Sequence, residues 1–378
     1  MTKPKRIMQT HLLDKIKALH PEWKEGLVKN TLLVVALLLE EKTVNLWKLK
    51  GSVGKLLGNT ETDSRSHYQR LKRWLNSGIG QKGIWVVLLQ ASVGLLTKKS
   101  RCLIIDGTSW QTGTHTYHFL TLSVLYEGVS VPIFWLDLKR LGISSQWHRK
   151  LLLRLALKVF VLKGKVLLGD REYIGEQWFE WLGKAGLDLV IRLRKGNYQE
   201  HIEKTGKRVM RLERQAKARL GRVVFQKFLL EGNCYTYVLM AYRERSGKVA
   251  FLRLITTLTP ALAIKYYGYR YRIESMFKHL KSNGFQLQDL NVKTHHKIRL
   301  LMAALVLAYT LSVVHGLARY KRAVKVKKHG SPEMSLFRFG LDLWQNSLQS
   351  FVRFLDTLAQ FSNKQTPVKQ LLLNLNVP

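Results

Sequence analysis

The stretch Ser144–Asp170, SSQWHRKLLLRLALKVFVLKGKVLLGD, decides the fold class of this chain. Its first part predicts a helix over Ser144–Phe160, because apolar residues follow a serine that can cap the first turn. Its second part, Lys165–Gly169, is a short apolar run that predicts a buried strand and is followed by Asp170. A helix that leads into a buried strand is typical of a crossover between parallel strands.

Three β-rich runs precede this crossover, and a helix and a further strand follow it. In chain order these elements are Cys102–Ile105, Tyr117–Tyr126, Val129–Leu138, Gly175–Ala185 and Leu187–Leu193. The pair Glu127-Gly128 separates the second run from the third and is a hairpin signal. The order β-β-β-α-β-α-β therefore predicts an α/β fold with a mixed sheet and helices on its faces.

Residues 1–80 are predicted to form an N-terminal helical domain. Its third helix, Ser64–Leu75, carries recurring cations that include Arg65, Arg70 and Arg73. Two short helices followed by a basic one are typical of a helix-turn-helix DNA reader, in which these arginines would contact DNA. A plain helical bundle with a basic surface is an equally good interpretation. The run Asn76–Gly83 is predicted to be a linker.

Residues 195–258 interrupt the α/β pattern and are predicted to be a small β insertion. Its strand-like runs are Val223–Leu230, Cys234–Tyr242 and Lys248–Ile255. The chain is then predicted to be helical again, in residues 259–320 and in a C-terminal region, residues 333–378. The apolar run Leu300–Ala318 approaches membrane-spanning length, but it contains polar side chains, which favours a helix buried in the fold.

Charge is the strongest global feature of the 378 residues. There are 63 Lys and Arg against 25 Asp and Glu, which gives a formal net charge of +38. A chain this basic repels itself unless a polyanion is its usual neighbour, and nucleic acid is the first candidate. An anionic membrane is the second candidate, and export as a cationic protein is the third. The N-terminus has no apolar segment of signal-peptide length, so we expect a cytoplasmic protein that does not act on a membrane.

Two aspartates occupy comparable positions in the predicted sheet. Asp106 and Asp170 each stand at the carboxyl end of an apolar strand, and the crossover places those two strands side by side. Their carboxylates should then lie together at the edge where ligands bind in sheets of this kind. An aspartate after a strand is also a common turn former or helix cap, and either residue alone is explained as well that way.

A third carboxylate is predicted from the stretch Tyr267–Lys281, YGYRYRIESMFKHLK. If this stretch is one helix, Glu274 stands alone on a face that is otherwise basic or aromatic. Its neighbours on that face are Tyr267, Arg270, Lys278 and Lys281. Such a face suits a metal-binding carboxylate beside a polyanion, although a solvated ladder of i,i+4 ion pairs is the better interpretation of this helix taken alone.

Three carboxylates around one cleft suit two hard divalent cations, which prefer oxygen ligands. Two such ions can activate an attacking oxygen and stabilise a leaving oxygen in phosphoryl transfer. Glu172 is an alternative to Glu274 as the third ligand. The sequence therefore indicates a metal-dependent phosphoryl-transfer enzyme that acts on nucleic acid.

Together these residues resemble the DDE transposases of the IS4 insertion-sequence family. The signature Y-(2)-R-(3)-E-(6)-K of that family is matched at every spacing by Tyr267, Arg270, Glu274 and Lys281. Its first motif is matched by Asp106-Gly107-Thr108, and its second by Asp170-Arg171-Glu172-Tyr173. The resemblance covers most of the chain and implies an RNase H-like catalytic core, made here of residues 99–194 and 259–320 with the β insertion between them.

The resemblance also implies an activity, namely Mg²⁺-dependent cut-and-paste DNA transposition, with Mn²⁺ as a substitute and two ions per active site. Asp106 would bridge both metals, and Asp170 and Glu274 would each bind one. The DNA contacts expected on the same stretch are Tyr267, Arg270, Lys278 and Lys281. The implied partners are the terminal inverted repeats, the target DNA and a second copy of the chain, and the implied location is the nucleoid of a bacterial cytoplasm.

One departure from the family concerns base stacking. Relatives place a tryptophan in the β insertion, where it stacks on a flipped base, but Lys195–Leu258 has no tryptophan. The aromatic residues that could replace it are Tyr198, Tyr235, Tyr237, Tyr242, Trp110 and Trp135. Both the stacking residue and a hairpin intermediate are therefore open at the level of sequence.

Two alternatives to an active transposase remain. An RNase H-like nuclease would use the same metal site to cut DNA without strand transfer. A catalytically silent DNA-binding protein descended from a transposase would bind without cutting, but the intact set of three carboxylates counts against this alternative.

We expect Lys281→Ala to weaken DNA binding about equally for all sequences and to lower the salt slope of binding by roughly one, because a phosphate contact is lost. Titrations of fluorescent duplexes at several salt concentrations measure both quantities. An unchanged salt slope would count against a phosphate contact by Lys281.

Overall fold

A computed structural model describes residues 16, 18, 20–80, 83–96, 98, 100–139, 142–328 and 330–364. The chain forms two compact units. The first comprises Met1–Lys99, Trp110–Thr116 and Ser275–Pro378, and the second comprises Ser100–Ser109 and Tyr117–Glu274. The predicted residues 1–15 of the N-terminal domain and residues 365–378 of the C-terminal region lie outside the described residues.

The described elements form three blocks along the chain: helices, then a mixed α/β block, then helices again. The first helices are α1 (Glu25–Glu41), α2 (Leu46–Leu49), α3 (Val53–Leu57), α4 (Ser64–Gly80) and α5 (Ile84–Gly94). The α/β block follows as β1 (Cys102–Thr112), β2 (His115–Tyr126), β3 (Val129–Asp137), α6 (Gln146–Val159), β4 (Val166–Gly169), α7 (Glu176–Lys184), β5 (Asp188–Arg192), α8 (Gln199–Lys204), α9 (Val209–Ala218), β6 (Val223–Leu230), β7 (Asn233–Arg243) and β8 (Val249–Thr256). The last helices are α10 (Pro260–Tyr267), α11 (Arg272–Lys281), α12 (His295–Ala323), α13 (Leu336–Ser347) and α14 (Phe351–Lys364).

The second unit is built on an eight-stranded mixed sheet with the order β3-β2-β1-β4-β5-β8-β7-β6. Strand β4 is parallel to both β1 and β5, whereas the pairs β2–β3 and β5–β8 are antiparallel. Helix α6 makes the crossover between β3 and β4, and Ser145 caps it through the amide of His148. The α/β class and the RNase H-like mixed sheet are therefore confirmed, and so is the order β-β-β-α-β-α-β.

The hairpin signal at Glu127-Gly128 is also confirmed. Both residues adopt positive φ angles, 48° and 78°, which is the backbone that a two-residue turn needs to match the twist of its strands. The register of β2 and β3 starts at this turn with the pair Tyr126↔Val129, shifts once between Leu122 and Ser123, and ends at the pair Phe119↔Asp137. The turn and this irregularity together set which faces of the two strands point into the core.

The predicted β insertion does not stand apart from the sheet. Strand β8 pairs antiparallel with β5, so β6–β8 continue the same sheet to its far edge. The polar segment before them forms α8 and α9, which the sequence interpretation missed. The spacing of Val209, Leu212 and Ala216, all buried, is the helical signal that its many charges obscured.

Helix α12 is the core of the first unit and contacts α1, α4, α5 and α13. Among the described residues it is the one helix long and apolar enough to span a membrane, and 83% of its most apolar window is buried inside the protein. Helix α5 was missed by the sequence interpretation. The linker predicted at Asn76–Gly83 is wrong up to residue 80, where α4 ends, and residues 81 and 82 lie outside the described residues.

Helices α12 and α13 approach so closely that their backbones touch. A Cβ atom at Gly340 would lie 1.7 Å from the carbonyl oxygen of Ser312, and one at Gly316 would lie 3.0 Å from the Cα of Gly340. Both glycines are needed because any larger residue would force the helix axes apart. The indole of Trp344, which is buried, donates to the Leu311 carbonyl at 3.2 Å and adds to the same contact.

We expect Gly340→Ala to lower the free energy of unfolding by at least about 2 kcal/mol, because the added methyl group cannot be accommodated without moving a helix. Gly26→Ala is the matched control. Gly26 lies in α1 with open space around it, so alanine should be neutral or stabilise by up to about 1 kcal/mol. Urea unfolding followed by circular dichroism measures both, and equal stabilities of the two variants would contradict the packing described here.

Candidate active site

The register of β1 and β4 brings Asp106 and Asp170 to matching positions. The parallel pairing ends at Ile104↔Leu168. Asp106 lies two residues after Ile104, and Asp170 lies two residues after Leu168. The predicted adjacency of these two strands is thus confirmed. The prediction that β1 ends before Asp106 is wrong, because the strand continues to Thr112.

The stretch Tyr267–Lys281 is not one continuous helix, contrary to the expectation from its periodicity. Helix α10 ends at Tyr267 and α11 begins at Arg272. Between them the amide hydrogen bonds reach back three residues rather than four, as in Arg270 to Tyr267 and Glu274 to Tyr271. This tighter 3₁₀-like turn keeps the chain winding in the same sense, so Arg270 and Glu274 still lie side by side.

The guanidinium of Arg270 lies among the three predicted metal ligands. Its Nη2 is 3.4 Å from Asp106 Oδ2 and 3.4 Å from Asp170 Oδ2, and its Nη1 is 2.5 Å from Glu274 Oε1. The Arg270 side chain is 14% exposed, whereas that of Glu274 is 55% exposed. The structure therefore brings Asp106, Asp170 and Glu274 together around one shared cation.

Electrostatics keep Arg270 charged in this position. Burial lowers the pKa of the Arg270 guanidinium, but the nearby acids, Asp106 and Asp170 foremost, outweigh that effect and raise its pKa overall. A charged guanidinium is what allows three carboxylates to remain close without repelling one another.

The pKa of Asp106 is perturbed by its surroundings. Burial raises its pKa to about 6, although the charge of Arg270 and the amide of Gly107 both lower it. The Gly107 amide donates to Asp106 Oδ1 at 2.9 Å. The charges of Glu172 and Asp170 raise the pKa of Asp106 further, which shows that Glu172 lies in the same electrostatic environment.

Tyr267 joins the site through Asp170. Its hydroxyl donates to Asp170 Oδ1 at 3.4 Å, at the long end of the hydrogen-bond range. Burial, with the charge of Asp170 next, raises the pKa of Tyr267 to about 12, while Arg270 and Arg192 lower it. Tyr267 therefore remains a neutral donor at neutral pH. Arg192, the last residue of β5, is a neighbour of this site that the sequence interpretation did not identify.

The donor set fits a divalent cation by its chemistry, since all three side chains offer carboxylate oxygens that already face a common positive charge. The distances between these side chains, by contrast, do not fit a bound metal ion. In the part of the chain that the structure describes, no three His, Cys, Asp or Glu side chains are close enough together to form a metal-binding group. The guanidinium of Arg270 lies between the carboxylates of Asp106, Asp170 and Glu274.

The remaining predicted DNA contacts belong to the first unit. Lys278 is exposed, and Lys281 is half-buried with a pKa that burial lowers. On α4, Arg65 and Arg73 are exposed and Arg70 is half-buried, while the opposite side of the helix packs inward. The buried side includes Trp74, whose indole donates to Thr31 Oγ1 of α1 at 2.9 Å. These residues have the exposure that a DNA contact requires, and their role stays a prediction.

Three of the aromatic residues considered for base stacking are buried, namely Trp110, Tyr235 and Tyr237. A side chain that is enclosed in the core cannot stack on an extruded base. Tyr198, Tyr242 and Trp135 are half-buried and remain available.

Sequence reasoning also missed Arg149, a buried cation on α6. It holds the loop that follows Asp170 through hydrogen bonds to the carbonyls of Glu172 and Ile174. A signal was available, because Arg149 shares the i, i+3, i+4, i+7 register with Leu152, Leu153 and Ala156, all of which are buried. A charged residue in an apolar register indicates a buried polar contact.

The chain matches one known protein family over more than half of its length. The family model described as "Transposase DDE domain" matches residues 97–311, a range that contains Asp106, Asp170 and Glu274. Among solved structures, the chain is similar to the piggyBac transposase in a synaptic complex with hairpin DNA, determined by cryo-electron microscopy. That match has a TM-score of 0.47 and 12% sequence identity, and it covers 94% of this chain and 78% of the other. No curated protein matches the chain in sequence.

We expect Arg270→Gln to lower the free energy of unfolding by about 1–3 kcal/mol in metal-free buffer, because Asp106 and Asp170, which are largely enclosed, lose their counter-charge. Added Mn²⁺ should raise the stability of this variant more than that of the wild type, because a bound cation replaces the missing charge. Arg272→Gln, at the first residue of α11, is the control. Equal stability and equal Mn²⁺ response in all three proteins would show that Arg270 is not the counter-charge of the site.

Proposed function

We propose that this chain, which belongs to the transposases with a DDE domain, moves a DNA element by a cut-and-paste reaction. As a DDE transposase it is an enzyme that cleaves DNA and transfers DNA strands. The single observation that supports Asp106, Asp170 and Glu274 as its catalytic residues is their contact with one shared cation, Arg270. All three lie within the range that the family model matches.

DDE transposase domains use divalent metal ions, and we propose that Mg²⁺ is the ion here, with Mn²⁺ as a substitute and two ions per site. Asp106 would be the shared ligand, and Asp170 and Glu274 would each hold one ion. When bound, two such ions supply positive charge at both the attacking and the leaving oxygen of a phosphoryl transfer. For a cation to enter, Arg270 must give up at least part of its contact with the three carboxylates.

We propose that DNA provides the new partner for Arg270. A guanidinium that leaves these carboxylates can make a bidentate contact with a phosphate, because its two parallel N–H donors can reach the two non-bridging oxygens. Tyr267, a neutral donor beside Asp170, would give a second phosphate contact, and Lys278 and Lys281 would extend the contact along the backbone. Binding of DNA and opening of the carboxylate site would then be one coupled event.

The reaction proposed is two successive in-line transfers at phosphorus. Water forms a new P–O bond at the end of the element while the bond to the 3′ oxygen breaks, which leaves a 5′-phosphate and a free 3′-OH. That 3′-OH then attacks a second phosphate while the bond from this phosphate to its own 3′ oxygen breaks and releases another 3′-OH. The attacked phosphate belongs either to the opposite strand, which forms a hairpin, or to the target, which joins element and target. Positioning is the main contribution of the protein, because little covalent chemistry involves its side chains.

Within the transposases with a DDE domain, we propose that the chain belongs to the IS4 insertion-sequence family. The spacing of Tyr267, Arg270, Glu274 and Lys281 supports this proposal. We propose that the DNA partners are the terminal inverted repeats and the target, with Arg65, Arg70 and Arg73 reading the repeat. Two copies of the chain would pair the two ends, because both ends must join one target. The formal charge of +38 supports a location on the nucleoid of a bacterial cytoplasm.

We expect Glu274→Gln to slow DNA cleavage at least about 100-fold while DNA binding stays nearly intact, because several kcal/mol of charge stabilisation are lost. Glu180→Gln is a matched control, since Glu180 is also a helix glutamate in an i,i+4 ion pair, with Lys184. The substrate is a duplex that carries the inverted repeats flanking the gene, incubated with target plasmid and Mg²⁺.

The products separate the candidate functions. Joined products that the wild type and Glu180→Gln make, and that Glu274→Gln does not make, support the transposase. Cleavage without joining would instead indicate a nuclease, and binding without cleavage would indicate a silent DNA-binding protein. Retained cleavage by Glu274→Gln would exclude Glu274 from the metal site.

A further inference from the structure

Arg149 is a buried cation that the proposed chemistry does not use. It lies in the first turn of α6 and is 4% exposed. Its neighbours on the same face of the helix are Leu152, Leu153 and Ala156, which are fully buried. An arginine is rarely enclosed in this way unless all of its donors are satisfied.

Its donors join two separate segments of the second unit. Toward the start of α6, Nε donates to Ser144 Oγ at 3.1 Å and Nη2 donates to the Ser144 carbonyl at 2.7 Å. Toward the loop after β4, Nη2 donates to the Glu172 carbonyl at 2.6 Å and Nη1 donates to the Ile174 carbonyl at 3.1 Å. The guanidinium also lies 5.1 Å from the centre of the Tyr173 ring.

Enclosing a charged guanidinium in the protein interior costs free energy, which indicates that these contacts have a structural or functional role. Burial lowers the pKa of Arg149, and its hydrogen bonds among the described residues end on carbonyls and one hydroxyl rather than on a carboxylate. The interactions with Tyr173 and Glu172 oppose this lowering of the pKa only in part. The planar fork can, however, reach carbonyls in two directions at once, and the ammonium group of lysine cannot reproduce that geometry.

The loop that Arg149 holds begins with Asp170. The Tyr173 amide donates to the Asp170 carbonyl at 2.9 Å, so the backbone turns back immediately after the aspartate. Gly169, just before Asp170, has no room for a side chain, because a Cβ there would lie 2.8 Å from Ile191. At the other end Gly175, at a φ of 150°, lies so close to Gln146 of α6 that a Cβ would be 2.6 Å from its amide nitrogen. Asp170 is thus the first residue of a loop fixed at both ends.

We propose that Arg149 is a positioning residue for Asp170. By fixing the carbonyls of Glu172 and Ile174 it sets the path of the loop, and so the direction in which the Asp170 carboxylate points toward Arg270 and Asp106. The effect on catalysis rests on the proposed function, whereas the hold on the loop does not.

Arg149→Lys tests this directly because it keeps the charge and removes the fork. Arg154→Lys makes the same change at an exposed position of the same helix and is the control. We expect Arg149→Lys to lower the single-turnover cleavage rate about 10- to 100-fold, since small misplacements of a catalytic group have effects of this size. The Kd for DNA should stay within about twofold of the wild type, as expected for a residue that does not touch DNA.

Hydrogen exchange gives a readout that does not depend on activity. In Arg149→Lys the amides of residues 170–175 should exchange at least about tenfold faster than in the wild type, while those of β8 should not change. Ser144→Ala, which removes one acceptor of Arg149, should shift both readouts in the same direction by a smaller factor. It remains informative if Arg149→Lys does not fold.

Two results would overturn the proposal. One is unchanged exchange in residues 170–175 in both Arg149→Lys and Ser144→Ala. The other is a loss of DNA affinity as large as the loss of rate, which would indicate a direct DNA contact. If the wild type itself does not cleave DNA, the proposed function fails, and the exchange data alone decide whether Arg149 holds the loop.

Discussion

Mutual repulsion of three carboxylates is the constraint around which the second unit is arranged. Like charges that share a site disfavour each other's ionised form, which costs free energy. Arg270 offsets this cost by contacting Asp106, Asp170 and Glu274 at once. Burial still raises the pKa of Asp106 to about 6, so the compensation is incomplete. A site of this kind accepts a stronger cation readily, because binding relieves the remaining repulsion.

The distribution of charge over the chain fits the same picture. Acidic residues are scarce against a net charge of +38, and yet three of them share one guanidinium. A basic protein surface attracts a polyanion from a distance, whereas an acidic centre within it binds the metal ions that the chemistry of phosphate requires. Arg270 links the two requirements, because its guanidinium suits both a carboxylate and a phosphate.

The features of the structure that the sequence predicted are those with a local signal. The strands β2, β3 and β6, the turn at Glu127-Gly128 and the adjacency of β1 and β4 follow from periodicity, turn chemistry and the rules for crossovers. The contact between Arg270 and Glu274 was predicted from a helix that is in fact interrupted, because a 3₁₀-like turn preserves the neighbourhood of residues four apart. The role of Arg149 required the fold, since its partners are backbone carbonyls 23 and 25 residues away in sequence. The contact of Gly316 with Gly340 likewise depends on which helices meet, and no local pattern contains that information.

Direct ligation of a metal ion by Asp170 is the central claim, and a change of ligand tests it. Asp170→Cys replaces carboxylate oxygens with a softer sulfur, which binds Mg²⁺ poorly and Mn²⁺ better. Cleavage of the terminal-repeat duplex by this variant should be lost in Mg²⁺ and recover at least about tenfold in Mn²⁺, whereas the wild type should be active in both. Equal cleavage rates of Asp170→Cys in the two metals would contradict a metal-binding role for this carboxylate.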